Sequence, residues 1–251
     1  MGFFKSEPEI VRDQWNGYRY TFGEGERCVV SFDVRACEPS AQRPSQLRRV
    51  IGFSPEGHVS PEGMPSPQAF ARLKAIEDAL IVELRARKVK SWLVGRQVYR
   101  GFRELLFQVD DTAGFAKAYA EVETEFGGMK LVEHPDWKFF NDKIRPDARA
   151  LNHIANREVI TRLKEGGSEL SIEHTLDHSF VGEPTALAAL EAKLATKDFT
   201  GPSRHRNTLT MSNIAPLDDQ DLIDAMTMWL RELADLHGAS YDGWGTMVQR
   251  G

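Results

Sequence analysis

Several groups of residues have the types and spacing to do chemistry. His174 and His178 stand four apart in an alternating run, so both fall on one strand face, and with Asp242 they could begin a metal site. A site needs three or four convergent ligands, and the same face carries Leu170, Ile172, Leu176 and Phe180, which favours buried, hydrogen-bonded imidazoles. Asp110 and Asp111 form a carboxylate pair of the sort used in acid–base work. They lie between a strand-like and a helix-like run, where turn and cap duty is the stronger reading. His134-Pro135-Asp136-Trp137 sets a titratable group beside an indole, but Pro135 and Asp136 are also what a helix start looks like.

The run from Arg100 to Phe107 begins and ends like the central strand of an RNA-recognition motif, with a basic residue, a glycine and phenylalanines. Glu104 occupies a position where a stacking aromatic is needed. Phe102 and Phe107 are five apart and face opposite ways, so a hairpin with core phenylalanines is favoured. No phosphate-binding glycine loop and no serine-hydrolase elbow is present. Two cysteines and seven scattered histidines give no familiar zinc spacing, so no catalytic, cofactor or metal residue is assigned. The C-terminal Tyr241-Asp242-Gly243-Trp244-Gly245-Thr246 is least explained by packing. Two glycines in a strand mark a bulge or a close backbone approach, and the aromatics flanking a carboxylate match the content of binding hot spots. Trp244 is equally readable as a core plug for which the glycines make room.

The elements that must hold these residues are legible in the periodicity. Strands are expected at Tyr18 to Phe22, Cys28 to Val34 and Leu47 to Phe53, followed by a Pro- and Gly-rich loop over Ser54 to Pro67. A helix opens at Ser66-Pro67 and runs to about Arg87. A hairpin then spans Trp92 to Tyr99 and Glu104 to Val109. Next come a helix capped at Asp111 or Thr112 and stopped by Gly127-Gly128, a strand at Met129 to Val132, and a short helix over Asp136 to Ile144. The second half opens with a lead-in helix from Arg157 to Lys164. Leu170 to Phe180 then alternates as a strand, Pro184 starts a helix, and an edge strand lies near Phe199. A strand over Asn207 to Ile214 leads to a helix from Asp218 or Asp219 with Leu222, Met226, Trp229, Leu233 and Leu236 inward, and a last strand over Ser240 to Gln249.

Each half therefore reads β-α-β-β-α-β, the first with extra N-terminal strands. The expected fold class is α+β: two tandem ferredoxin-like sandwich domains with antiparallel sheets. A length of 251 residues fits two domains, 1–149 and 150–251, joined near Ala148 to Ala155. The charge changes at the same place. Residues 1–155 hold 23 Lys+Arg against 22 Asp+Glu and residues 156–251 hold 9 against 15, balances of +1 and −6 that make up the net −5. An acidic half repels phosphate backbones, so direct nucleic-acid binding by it is disfavoured while a basic protein partner is allowed. Cys28 and Cys37 sit at odd spacing, which argues against a local disulfide. No apolar run approaches the ~20 residues of a membrane span, and the first ten residues lack a signal-peptide shape, so a cytoplasmic location is expected.

The Tyr241 to Thr246 run, the Ile172-Glu173-His174 strand and the element order between them resemble the regulator of ribonuclease activity B family, over roughly Asn156 to Gly251. That resemblance implies a bacterial, ferredoxin-like, non-enzymatic protein that inhibits the endoribonuclease ribonuclease E by protein–protein contact. The first half, Trp15 to Asp147, is similar to the domain of unknown function 695 family. It shares Met64-Pro65, the hairpin with Phe107, Pro135-Asp136-Trp137 and Arg145-Pro146, and that family brings no assigned activity. With the last strand expected beside the first, Tyr241 to Thr246 should join Glu173 and His174 in one interaction patch for a protein partner. A hydrolase using carboxylates or histidines in a groove between the halves is the alternative. RNA binding by the nearly neutral first half is a third reading.

Overall fold

The computed structural model describes residues 15–22, 25–42 and 46–250, so the N-terminal ten residues read above lie outside it. The chain divides into two compact units, Met1–Pro146 and Asp147–Gly251, each considered by itself.

In the first unit β1 (Trp15–Phe22) and β2 (Glu26–Asp33) form a hairpin. Two 3₁₀ turns follow, Val34–Cys37 and Pro39–Ala41, and then β3 (Gln46–Phe53). Ser66 accepts the Ala69 N–H and Pro67 sits in the first turn of α1 (Pro67–Ala86), because proline's missing donor costs nothing there. β4 (Ser91–Tyr99) and β5 (Phe102–Val109) close through Arg100 and Gly101, whose φ values of 45° and 76° are the left-handed pair of a type I′ hairpin turn. A side chain at Gly101 would also strike Val59, at 2.5 Å. Asp111 caps α2 (Thr112–Phe126), Gly127 at φ 63° ends it, and β6 (Met129–His134) and α3 (Lys138–Lys143) complete the unit. The sheet runs β1-β2-β4-β5-β3-β6, antiparallel throughout. Val50, Leu105 and Phe107 meet Leu73, Ile76 and Leu80 of α1 and Phe115 and Tyr119 of α2 in its core.

The second unit opens with α4 (Ala148–Glu165), which is longer than the periodicity suggests. Asp147 accepts the Ala150 N–H and starts the helix just after Pro146, so the stretch expected to join the halves is helical. Then come β7 (His174–Gly182), α5 (Pro184–Leu194), β8 (Thr200–His205), β9 (Thr208–Ala215), α6 (Gln220–Leu236, capped by Asp219) and β10 (Ala239–Gly245). The sheet order is β10-β7-β9-β8, again antiparallel. Its β-α-β-β-α-β connectivity and strand order repeat those of β3 to β6, so the molecule is two α+β sandwiches, as the patterning predicts. Phe180, Leu209 and Met211 pack on Leu187, Leu190 and Leu194 of α5 and on Leu230 and Leu233 of α6.

Two local expectations are corrected. The strand begins at His174 and not at Leu170. His174 pairs with Ala215, where β9 ends, and Pro216 beyond it has no N–H to extend the ladder. Leu170 instead uses its carbonyl on the Leu217 N–H, and Glu169 donates its N–H to the Gln249 carbonyl. On α6 the expected inward residues Met226, Trp229 and Leu233 do pack into the core, but the two leucines at its ends do not. Leu222 and Leu236 are 52% and 79% exposed, while Ile223, Leu230, Leu233 and Ala234 are buried. The helix serves two partners, the sheet and α4, so its buried surface is wider than a single leucine stripe.

Candidate functional site

β10 and β7 pair regularly from Ala239 to Tyr241, after which the register shifts so that Gly243 lies opposite Ser179 and Asp242 is the extra residue. Gly243 takes φ 131°, a conformation side chains rarely adopt, so the bulge expected from the glycines is present. The bulge turns Trp244 toward α4. Its indole N–H donates to Asn156 Oδ1 at 2.8 Å, and its ring packs beside Leu163, Leu176, Leu217 and Ile223. Trp244 is thus half core plug and half surface.

Asn156 is the pivot of a polar seam between α4 and α6. Its amide donates to Asp224 Oδ1 at 2.7 Å and to Thr227 Oγ1 at 2.8 Å, and Asn152 donates to the same Thr227 hydroxyl at 2.8 Å. His153 Nδ1 lies 2.6 Å from the other Asp224 oxygen. Beside this seam opens a cavity of about 380 Å³, walled by Asn152 and Asn156 of α4, by Tyr241 to Gly245 of β10, by Asp177 and Ser179 of β7 and by Arg231 of α6. Arg231 sits 5.9 Å from the Tyr241 ring centre with its Nε buried and unpartnered among the described residues.

Beneath the bulge His178 is fully buried. The Asn213 amide donates to Met226 Sδ, so Asn213 Oδ1 faces His178 Nε2 at 2.7 Å as an acceptor. That leaves Nδ1 to accept the Tyr241 hydroxyl at 2.9 Å. Burial holds the imidazole below its usual range, against smaller upward pulls from Asn213 and Asp177. Burial also pushes the Tyr241 hydroxyl well above its usual range, with Arg231 opposing weakly. Both groups are neutral near pH 7 and form a closed hydrogen-bonded pair. His174 is likewise fully buried, its Nε2–H donating to the Glu169 carbonyl at 2.9 Å. The histidines are structural, and among the described residues no group of three or more His, Cys, Asp or Glu could hold a metal ion.

The structure brings together Tyr241, Asp242, Gly243, Trp244 and Gly245, and Thr246 follows them directly. It does not bring Glu173 and His174 to the same place. The last strand does lie beside β7, but Tyr241 to Gly245 pair with Asp177 to Phe180, and Glu173 and His174 fall beyond the last pair. Glu173 is exposed and His174 is inside. The residues missed from sequence are Asn152, Asn156, Asp224, Thr227 and Arg231. The spacing Asn152/Asn156 and Asp224/Thr227/Arg231 is helical and polar, a signal for two helices sharing a wet seam once α4 is known to begin at Ala148.

The other candidates have structural work. Asp111 caps α2 through the Gly114 N–H. Trp137 and Phe140 pack edge to face under the sheet, and Asp136 accepts the Lys138 N–H. Phe107 is buried, and Glu104 pairs with Arg49 and Gln97. Cys28 is buried and Cys37 half-buried, and no disulfide joins them.

Comparison with known proteins places this geometry. Residues 153–246 match the family Regulator of ribonuclease activity B, and residues 13–143 match the Family of unknown function (DUF695). A Regulator of ribonuclease activity B from Photobacterium profundum is 32% identical over 109 residues, covering 37% of this chain and 78% of that protein. The chain belongs to both families. A crystal structure of an unknown protein from Galdieria sulphuraria aligns with 82% of this chain and 99% of its own at 13% identity, with a TM-score of 0.21. The regulator-B match contains the bulge, the Trp244–Asn156 bond and all of the α4–α6 seam except Asn152. The DUF695 match contains every strand of the first unit's sheet and ends with α3. Among the described residues no helix is long and apolar enough to cross a membrane.

Proposed function

We propose that the chain is a non-enzymatic regulator of the bacterial cytoplasm, its two units acting as two domains, whose C-terminal domain binds a ribonuclease such as ribonuclease E. The surface of that contact is the bulged end of β10, Tyr241 to Thr246, with the cavity beside it and Glu173 further along the surface. The observation carrying this reading is Trp244, with its N–H held by Asn156, one part of its ring in the core and another lining the 380 Å³ cavity. A half-buried, immobilised indole offers large contact area at little entropic cost, which is what a hot spot requires. Regulation of a ribonuclease is what the relative from Photobacterium profundum is named for.

The test uses the full chain with purified ribonuclease E at low salt. Binding and slowed cleavage of a labelled RNA are expected. Trp244→Ala should weaken binding at least tenfold, on the order of 2 kcal/mol for a hot-spot aromatic, while a thermal melt and far-UV spectrum show the fold retained. Trp244→Phe, which keeps the ring but drops the Asn156 bond, should fall between the two. Undiminished binding by a folded Trp244→Ala variant, or no binding by the wild type, would sink the reading.

A further inference from the structure

Trp92 sits where the sheet of the first unit opens. β2 pairs with β4 only over Gly95 to Val98, and after Asp33 the chain turns away into the first 3₁₀ turn. Against β5, the register of β4 shifts between Leu93 and Gly95. The start of β4 is therefore flanked by two cavities, of about 600 and 300 Å³, which share Arg35, Ser91 and Trp92. Such volumes lie within the ordinary range of small-molecule sites.

Trp92 is immobilised by its edge. Its Nε1–H donates to Asp33 Oδ2 at 2.9 Å, and Arg35 grips both oxygens of that buried carboxylate, at 3.0 and 2.5 Å, while standing 5.3 Å from the indole centre. Arg35 is thus committed to Asp33. Lys90 in the larger cavity, which Asp110 also lines, and Arg85 in the smaller have no ion pair among the described residues. Gln108 lines the larger cavity, is 4% exposed, and its Oε1 has no hydrogen-bond partner. A buried amide oxygen calls for an N–H or O–H donor. Uncommitted cations call for an anion, and a fixed indole offers a flat face for a ring.

We propose that the groove around Trp92 binds a nucleoside monophosphate unit, free or within a single strand. The base lies along Trp92 and donates a hydrogen bond to Gln108 Oε1, and the phosphate is neutralised by Lys90, with Arg85 beyond the indole. This departs from the Arg100 to Phe107 run, whose phenylalanines form no platform, and it leaves the acidic C-terminal unit out of nucleotide contact. It is independent of the ribonuclease reading, since it concerns only residues of the DUF695 match.

Calorimetric titration of the full chain with AMP, GMP, CMP and UMP tests it, with inorganic phosphate as the control. At least one mononucleotide should saturate with a dissociation constant below about 1 mM, and phosphate alone should not. Lys90→Glu, at an exposed position, and Gln108→Leu should each weaken binding about tenfold, and Trp92→Leu at least as much. If Trp92→Leu fails to fold, the Lys90 and Gln108 variants decide. Short oligo(U) and oligo(A) form the second arm. Binding far tighter than the mononucleotide and falling steeply with salt identifies the single strand as the source, and equal affinity identifies the free nucleotide. No saturation by any mononucleotide or oligonucleotide at low salt overturns the proposal. So does saturating binding that neither Lys90→Glu nor Gln108→Leu alters.

Discussion

At the scale of single residues, the second unit holds a neutral, hydrogen-bonded His178–Tyr241 pair under the bulge. His178 illustrates the consequence. Its folded-state pKa lies below the unfolded value near 6.5, chiefly through burial, so between the two values the unfolded chain binds more protons. Stability contributed by the neutral imidazole is then complete above about pH 6.5 and is lost as pH falls through the folded value. The melting temperature of the second unit should drop as pH falls below about 6.5, and His178→Gln should flatten that drop. An unchanged pH profile in the variant would assign the effect elsewhere. Asp33 follows the same sign at lower pH. Burial raises its pKa, but hydrogen bonds from Arg35 and Trp92 outweigh that and hold it down, so the anchor of Trp92 persists until the carboxyl is protonated in acid. These partners were not readable in advance. Alternation placed His178 on the inner face, but Tyr241 and Asn213, 63 and 35 residues away, are brought to it only by the strand pairing.

At the scale of elements, β10 and α4 show how one local feature sets another. The bulge at Gly243 lets Trp244 reach Asn156, and the seam between α4 and α6 fixes Asn156. Gly243→Ala meets no steric obstacle, since nothing lies within 4 Å of the added carbon, but the φ of 131° becomes strained. The expected cost is about 1–3 kcal/mol, with amide exchange accelerating along β10 and, through Trp244, in α4 around Asn156. Exchange confined to β10 would show that the bulge does not position the indole. The glycines announced this bulge in the sequence, because backbone freedom is a property of residue type. The inward stripe of α6 was right at Met226, Trp229 and Leu233 and wrong at Leu222 and Leu236, which look like core yet are exposed, while Ile223, Leu230 and Ala234 are buried in addition. Periodicity reports that a helix has an apolar side, and it cannot say how that side divides between two neighbours.

At the scale of the whole molecule, the chain is two units of one connectivity and different charge. Asp147 tests their separateness, because it caps α4 as the first residue of the second unit. Asp147→Ala should cost the second unit about 0.5–2 kcal/mol, seen in hydrogen exchange of α4 and its partners, with protection in the first unit's sheet unchanged. A comparable loss in β3 or β5 would show that the two units unfold together.

Element order, caps, the hairpin turn and the two-fold repeat of β-α-β-β-α-β were set by the sequence itself, because periodicity, proline, glycine and side-chain caps act over a few residues. The Tyr241 to Thr246 run and the family resemblances were visible there too. Only the tertiary structure decided which residues those features meet. Register put Asp177 to Phe180, and not Glu173 and His174, beside β10; the α4–α6 seam gave Trp244 its hydrogen bond; and the early end of β2 opened the groove at Trp92. Each of these depends on pairings between segments distant in the chain, which local spacing does not encode.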